Sequence, residues 1–110
     1  MPAQQKSLEE IAFQIILHSG NARSFSMEGI QLAKAGKFAQ ARERIEQADQ
    51  EFYEAHHAQT SLLQQEASGD AVPPTLLLIH AQDHLMTSMT TKELCLEIID
   101  LYEKFAKERD

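Results

Sequence analysis

Four glycines and three prolines are all that interrupt this chain, at Pro2, Gly20, Gly29, Gly36, Gly69, Pro73 and Pro74. Between them the apolar residues keep a helical rhythm. Ser7 followed three residues later by Glu10 reads as a capping box that opens a first helix. Leu8, Ile11, Ile15, His18, Ala22, Phe25, Gly29 and Leu32 then recur at 3-4-3-4 spacing, one stripe of a helix in a bundle. Gly36 ends it, where a left-handed cap costs least. Gly20 and Gly29 weaken a helix by ~1 kcal/mol each relative to alanine, so close packing is expected at both.

A second stripe, Phe38, Ala41, Ile45, Ala48, Phe52, Ala55, Gln59 and Leu62, repeats the spacing. The opposite side, with Glu43, Gln47, Gln50 and Glu54, is polar. Gln59 is the anomaly, because a buried amide needs partners. Pro73-Pro74 then marks a third helix, since proline suits a first turn. Met86, Met89, Leu94, Ile98, Leu101 and Phe105 lie on one side of it, and Leu85, Cys95, Ile99 and Tyr102 broaden the apolar surface. Acidic Glu9 and Glu10 at the first N-terminus and basic Lys104 and Lys107 near the last C-terminus suit the helix dipoles. The expected architecture is all-α: one domain spanning 1–110, an antiparallel three-helix bundle with helices at about 7–35, 37–68 and 73–107, and apolar surface left over for self-association.

Composition narrows the function. At 110 residues there is room for one core. A net charge of −7 with scattered Lys and Arg offers no basic stripe for nucleic acid and no membrane-surface patch. One cysteine, Cys95, excludes an internal disulfide and suits a reducing compartment. Met1-Pro2-Ala3-Gln4-Gln5-Lys6 lacks the pattern of a secretion signal. Apolar runs fall far short of the ~20 residues that span a bilayer. A soluble, intracellular chain is expected.

Chemistry concentrates in Leu76-Leu77-Leu78-Ile79-His80-Ala81-Gln82-Asp83-His84-Leu85-Met86. On a helix, His80 shares a face with Asp83 at i+3 and with His84 at i+4. Several readings stay open. His80 and His84, joined by His56, His57 or Asp83, have the spacing of a zinc pair, although no glutamate of an HExxH motif lies between them. Cys95, among Leu94, Leu96 and Ile98, reads as a buried, inert thiol. No glycine-rich loop exists to hold a nucleotide. A phosphoryl carrier needs only one exposed imidazole and a rim for partners, because neutral imidazole nitrogen attacks phosphorus and the product is labile. A non-catalytic helical oligomerisation protein, with His80 on a solvated face, also fits.

Three markers in order carry a resemblance. They are Ser19-Gly20-Asn21-Ala22-Arg23-Ser24, then Glu54-Ala55-His56 with Gln59-Thr60, then His80-Ala81-Gln82-Asp83-His84-Leu85-Met86-Thr87-Ser88-Met89. With them the chain resembles, from about residue 11 to 107, the IIA component of the lactose/cellobiose/chitobiose family of the bacterial sugar phosphotransferase system. The resemblance implies a cytoplasmic homotrimer of three-helix bundles that accepts a phosphoryl group from HPr and hands it to the cysteine of a IIB partner. It implies His80 as the phosphoryl acceptor. It implies Asp83 at the trimer axis, binding a divalent cation shared by three subunits.

Oxygen-only ligands favour a hard ion, so magnesium is expected. Gln82, His84 and Gln59 are candidate supporting residues, with Gln59 at about the height of Asp83. His18 is expected in a core or interface, His57 in solvent, and His56 in either. Met86 and Met89 read as filler. One or two of Leu76, Leu77, Leu78 and Ile79 should be exposed for docking. The sugar, of the cellobiose, chitobiose or lactose class, is not written in residues that touch only HPr and IIB; the third marker leans toward the β-glucoside or chitobiose branch.

Overall fold

The computed structural model describes residues 7–109; the reading of the stretch 1–6 lies outside them. Three helices follow in order: α1 (Leu8–Lys34), α2 (Phe38–Ala67) and α3 (Leu76–Arg109). They form an elongated bundle of 63 × 24 × 20 Å. Helix α3 alone, at ~1.5 Å per residue, accounts for about 50 Å of that length.

The helix ends follow local chemistry. The Ser7 hydroxyl accepts from the Glu10 backbone N–H at 3.1 Å, the expected N-cap. After α1, Gly36 has φ +78°, its N–H bonds Ala33 O at 3.0 Å and the Lys37 N–H bonds Leu32 O at 2.9 Å. That is a Schellman motif. The same pair of bonds closes α2, from Gly69 to Glu66 O and from Asp70 to Gln65 O, with Gly69 at φ +96°.

Helix α3 begins at Leu76, not at Pro73. The reason is a better cap downstream: the Thr75 hydroxyl accepts from Leu78 N–H at 3.1 Å, while Thr75 O takes Ile79 N–H at 3.0 Å. The prolines stay in the connection.

Helix α1 holds the bundle together. It packs extensively against both α2 and α3, which meet each other along a much thinner seam. Pairs of neighbours give the directions. Gly20 lies against His84 and Gly29 against Ile99, so α1 and α3 run parallel. Gln59 meets Gln82, Asp49 meets Lys92 and Arg42 meets Asp100, so α2 and α3 run antiparallel. Because α1 lies under both neighbours, its most buried line is small: Ala12, Ile15, Ser19, Ala22, Ser26, Gly29 and Ala33. The stripe expected from periodicity is correct at Ile15, Ala22 and Gly29. Its members Leu8, Ile11, His18, Phe25 and Leu32 form a half-buried flank instead.

The α2 stripe is buried as expected except that Phe38 and Gln59 are half-buried, and Ala58 joins it. In α3 the two apolar sets divide differently from their order of prominence. Leu85, Cys95 and Ile99 form the core with Leu78 and Ala81. Met86, Leu94, Ile98, Leu101 and Phe105 face outward, and Tyr102 is exposed too. The inner set wins because Ala81, Leu85, Ser88, Cys95 and Ile99 fall on the line that faces α1 and α2. Full burial of Ile15, Leu85 and Ile99 stabilises the bundle by about 1.5–3 kcal/mol each. Among the described residues, no helix is long and apolar enough to cross a membrane.

Candidate functional site

Thr75 caps α3 and sets its phase, and the inner positions Leu78, Ala81 and Leu85 lock that phase into the core. The remaining positions of the same two turns are thereby aimed. His80 and Asp83 are exposed on the outward side, and His84 and Gln82 are half-buried on the two flanks.

His80 and His84 stack, with ring centroids 5.9 Å apart and planes within 10°. This is the offset arrangement that aromatic rings prefer. His84 in turn lies against α1: a Cβ built on Gly20 would stand 3.5 Å from His84 Nε2. On the other flank, Gln59 donates to the side-chain oxygen of Gln82 at 2.9 Å. That bond gives the anomalous amide of the α2 stripe its partner.

Gln59 stands at about the expected height, but it meets Gln82, the residue before the outward-facing Asp83, and not Asp83 itself. The Thr87 hydroxyl donates to Asp83 O at 2.9 Å, a backbone contact that leaves the Asp83 carboxylate uninvolved. Among the described residues, no hydrogen bond or ion pair holds that carboxylate, and no three of His, Cys, Asp and Glu converge as a ligand set. The zinc reading, with His56 or His57 completing a His80–His84 pair, therefore finds no support within one chain.

The other histidines are placed elsewhere. His18 Nδ1 lies 3.2 Å from Glu51 Oε1, an oxygen that also accepts from Asn21 Nδ2 at 2.6 Å, so His18 belongs to the α1–α2 seam. His56 is half-buried, and His57 is exposed and lines a different groove with Leu8 and Ile11. Cys95 is 2 % exposed, and burial pushes its thiol up, which disfavours the reactive thiolate.

On the side of His80 toward the start of α3 the surface is apolar. Leu76 is 82 % exposed and Ile79 55 %, whereas Leu78 is buried and Leu77 half-buried. Ile79 also lines a groove of about 310 Å³ with Leu63, Pro74, Leu78 and Gln82, between the end of α2 and the start of α3. Leu63, itself exposed, was invisible to the sequence reading because it lies outside the apolar stripe of α2.

Residues 10–103 match the family described as the PTS system, lactose/cellobiose-specific IIA subunit. The chain belongs to that family of phosphotransferase components. This IIA chain is 51 % identical over 104 residues to the lichenan-specific phosphotransferase enzyme IIA component of Bacillus subtilis strain 168, covering 94 % of each.

Its fold superposes on the crystal structure of the PTS cellobiose-specific enzyme IIA from Bacillus anthracis with a TM-score of 0.89. The two are 52 % identical, and the match covers 97 % of this chain and 98 % of the other. The IIA(chitobiose) structure from the IIA(chitobiose)–HPr complex of Escherichia coli matches with a TM-score of 0.82 at 40 % identity, over 93 % of this chain and 99 % of that one.

Proposed function

We propose that this IIA chain carries the phosphoryl group on His80, taking it from phospho-HPr and passing it to the cysteine of a IIB partner during uptake of a disaccharide of the cellobiose, chitobiose or lactose class. The observation that carries this reading is the exposure of His80 on a helix whose inner face is fixed in the core. A ring nitrogen of His80 attacks the phosphorus, the donor's N–P bond breaks, and its electron pair returns to the donor. In the second half the thiolate sulfur of IIB attacks, and the N–P bond on His80 breaks in the same way. The exposed Leu76 and Ile79 and the groove beside them give a partner a mainly apolar rim, with Glu66 as the one charged residue lining the groove. Work between two such partners places the chain in the cytoplasm.

The reading extends to a homotrimer. Asp83, Thr87, Thr90, Leu94, Ile98, Leu101 and Phe105 form one exposed line down α3, at spacings of three and four residues. Packing three copies along this line buries the outward apolar set and brings three Asp83 carboxylates together. One chain offers the ion a single oxygen ligand group, so the residues fit a metal only where copies meet. There Asp83 would hold a hard divalent cation such as magnesium, which supplies charge neutralisation.

Incubation with phosphorylated HPr should add one phosphate per chain, stable in alkali and lost in acid. His80→Gln should abolish it with unchanged helical content, because the side chain is exposed. Labelling that persists in His80→Gln defeats the assignment.

A further inference from the structure

We propose that His84, which faces Gly20 of α1, is a positioning residue that fixes the ring of His80 for phosphoryl transfer. The inference rests on His80 being the acceptor and adds how that ring is held.

An exposed histidine on a helix is free to turn about both side-chain torsions, and ordering it costs free energy. Here its ring lies parallel to that of His84, 5.9 Å away and within 10°. His84 is half-buried, and its Nε2 lies 3.5 Å from where a Cβ on Gly20 would stand. A glycine inside a 27-residue helix weakens it and needs a structural reason. For Gly29 the reason is the approach of Ile99 Cδ1 and Ala41 O, at 3.2 and 3.3 Å from a built Cβ. At Gly20 a built Cβ would meet, outside its own helix and among the described residues, only His84 Nε2, at an ordinary contact distance of 3.5 Å. An alanine there would fit against the imidazole, whereas a branched side chain such as valine would crowd it.

The line of contact therefore runs from the α1 backbone through His84 to His80. The i, i+4 spacing on α3 sets the height of the two rings, and Gly20 sets how far His84 can swing. What reaches the partner is an imidazole with a defined plane. The role is geometric and uses the ring of His84, not its proton.

Two variants and their combination test it, read as the rate of transfer from phospho-HPr split into kcat and KM. His84→Ala should lower kcat roughly ten- to hundredfold, as a misplacement of about 1 Å does, while leaving KM for phospho-HPr within about twofold. His84→Phe, which keeps a flat ring in the slot, should restore most of the loss. Gly20→Val should lower kcat as His84→Ala does, and the double variant should be no slower than either one, since both break the same contact. A His84→Ala rate equal to wild type overturns the proposal. So does a His84→Phe rate as low as that of His84→Ala, because the ring would then act through its nitrogens. Labelling of His80→Gln in the same assay would instead overturn the acceptor reading, so the two failures are distinguishable.

Discussion

Gln59 of α2 and Gln82 of α3 share a side-chain hydrogen bond of 2.9 Å across the thinnest seam of the bundle, two residues from His80. Both amides are half-buried. Removing one strands the other where water reaches it poorly. Gln59→Ala is expected to destabilise the fold by about 1 kcal/mol, and Gln59→Ala with Gln82→Ala by less than the sum of the two single changes. Urea unfolding of the three variants measures both; strict additivity would mean that the pair contributes nothing as a pair.

The four residues before His80 divide between docking and core. Leu76→Ser and Ile79→Ser, at exposed positions, should slow transfer from phospho-HPr while shifting stability by less than about 0.5 kcal/mol. Leu78→Ser empties a core site and should cost about 2–5 kcal/mol. Transfer rates set against melting temperatures separate the two classes. A rate unchanged in both Leu76→Ser and Ile79→Ser would remove these residues from the docking rim.

For the proposed trimer, the test is the Asp83 carboxylate that the proposal sets at its axis. Three ionised Asp83 groups about 5 Å apart repel by roughly 3 kcal/mol per pair at an effective dielectric near 20. Asp83→Leu should therefore keep or strengthen a trimer, and abolish the weakening that a chelator causes in the wild type. Sedimentation velocity with and without EDTA reads both effects. A wild-type monomer at micromolar concentration would defeat the trimer, and dissociation of Asp83→Leu would defeat the role given to the charge.

The glycines of α1 should respond in opposite directions. Alanine gains ~1 kcal/mol over glycine in a helix interior. Gly20→Ala meets only an ordinary contact with His84 and should raise the melting temperature by a few degrees. Gly29→Ala meets the backbone oxygen of Ala41 at 3.3 Å, which cannot step aside without moving α2, so its melting temperature should fall. Differential scanning calorimetry decides the sign for each.

Much of this was legible from residue spacing. The 3-4 rhythm marks three helices, and the Ser7, Gly36 and Gly69 punctuation bounds the first two to within one residue at each end, because capping is local chemistry. The start of α3 was misplaced at Pro73 since proline's preference for a first turn competes with the hydroxyl cap of Thr75, and the cap prevailed. Periodicity put Leu8, Ile11, Phe25 and Leu32 at the centre of the α1 stripe. It counts apolar size, whereas a helix covered on two sides buries its alanines, serines and glycine most deeply. In α3, the same rhythm fits two adjacent sets equally well, and only the contacts with α1 and α2 decide which is core. His80 and Asp83 were visible as a pair on one face. The seat of His84 on Gly20 was not, because it joins residues sixty-four positions apart.

The thin seam between α2 and α3 also dictates an order of events. Helices α1 and α2 are joined by the short turn at 35–37 and share a broad interface, so their hairpin closes cheaply and early. Helix α3 then finds its place chiefly on α1, the segment synthesised first and farthest from it along the chain. A nascent chain cut short within α3 thus exposes the alanine- and serine-lined groove of α1 to whatever else is nearby. His80, in the second turn of α3, is therefore among the last groups to be fixed in space.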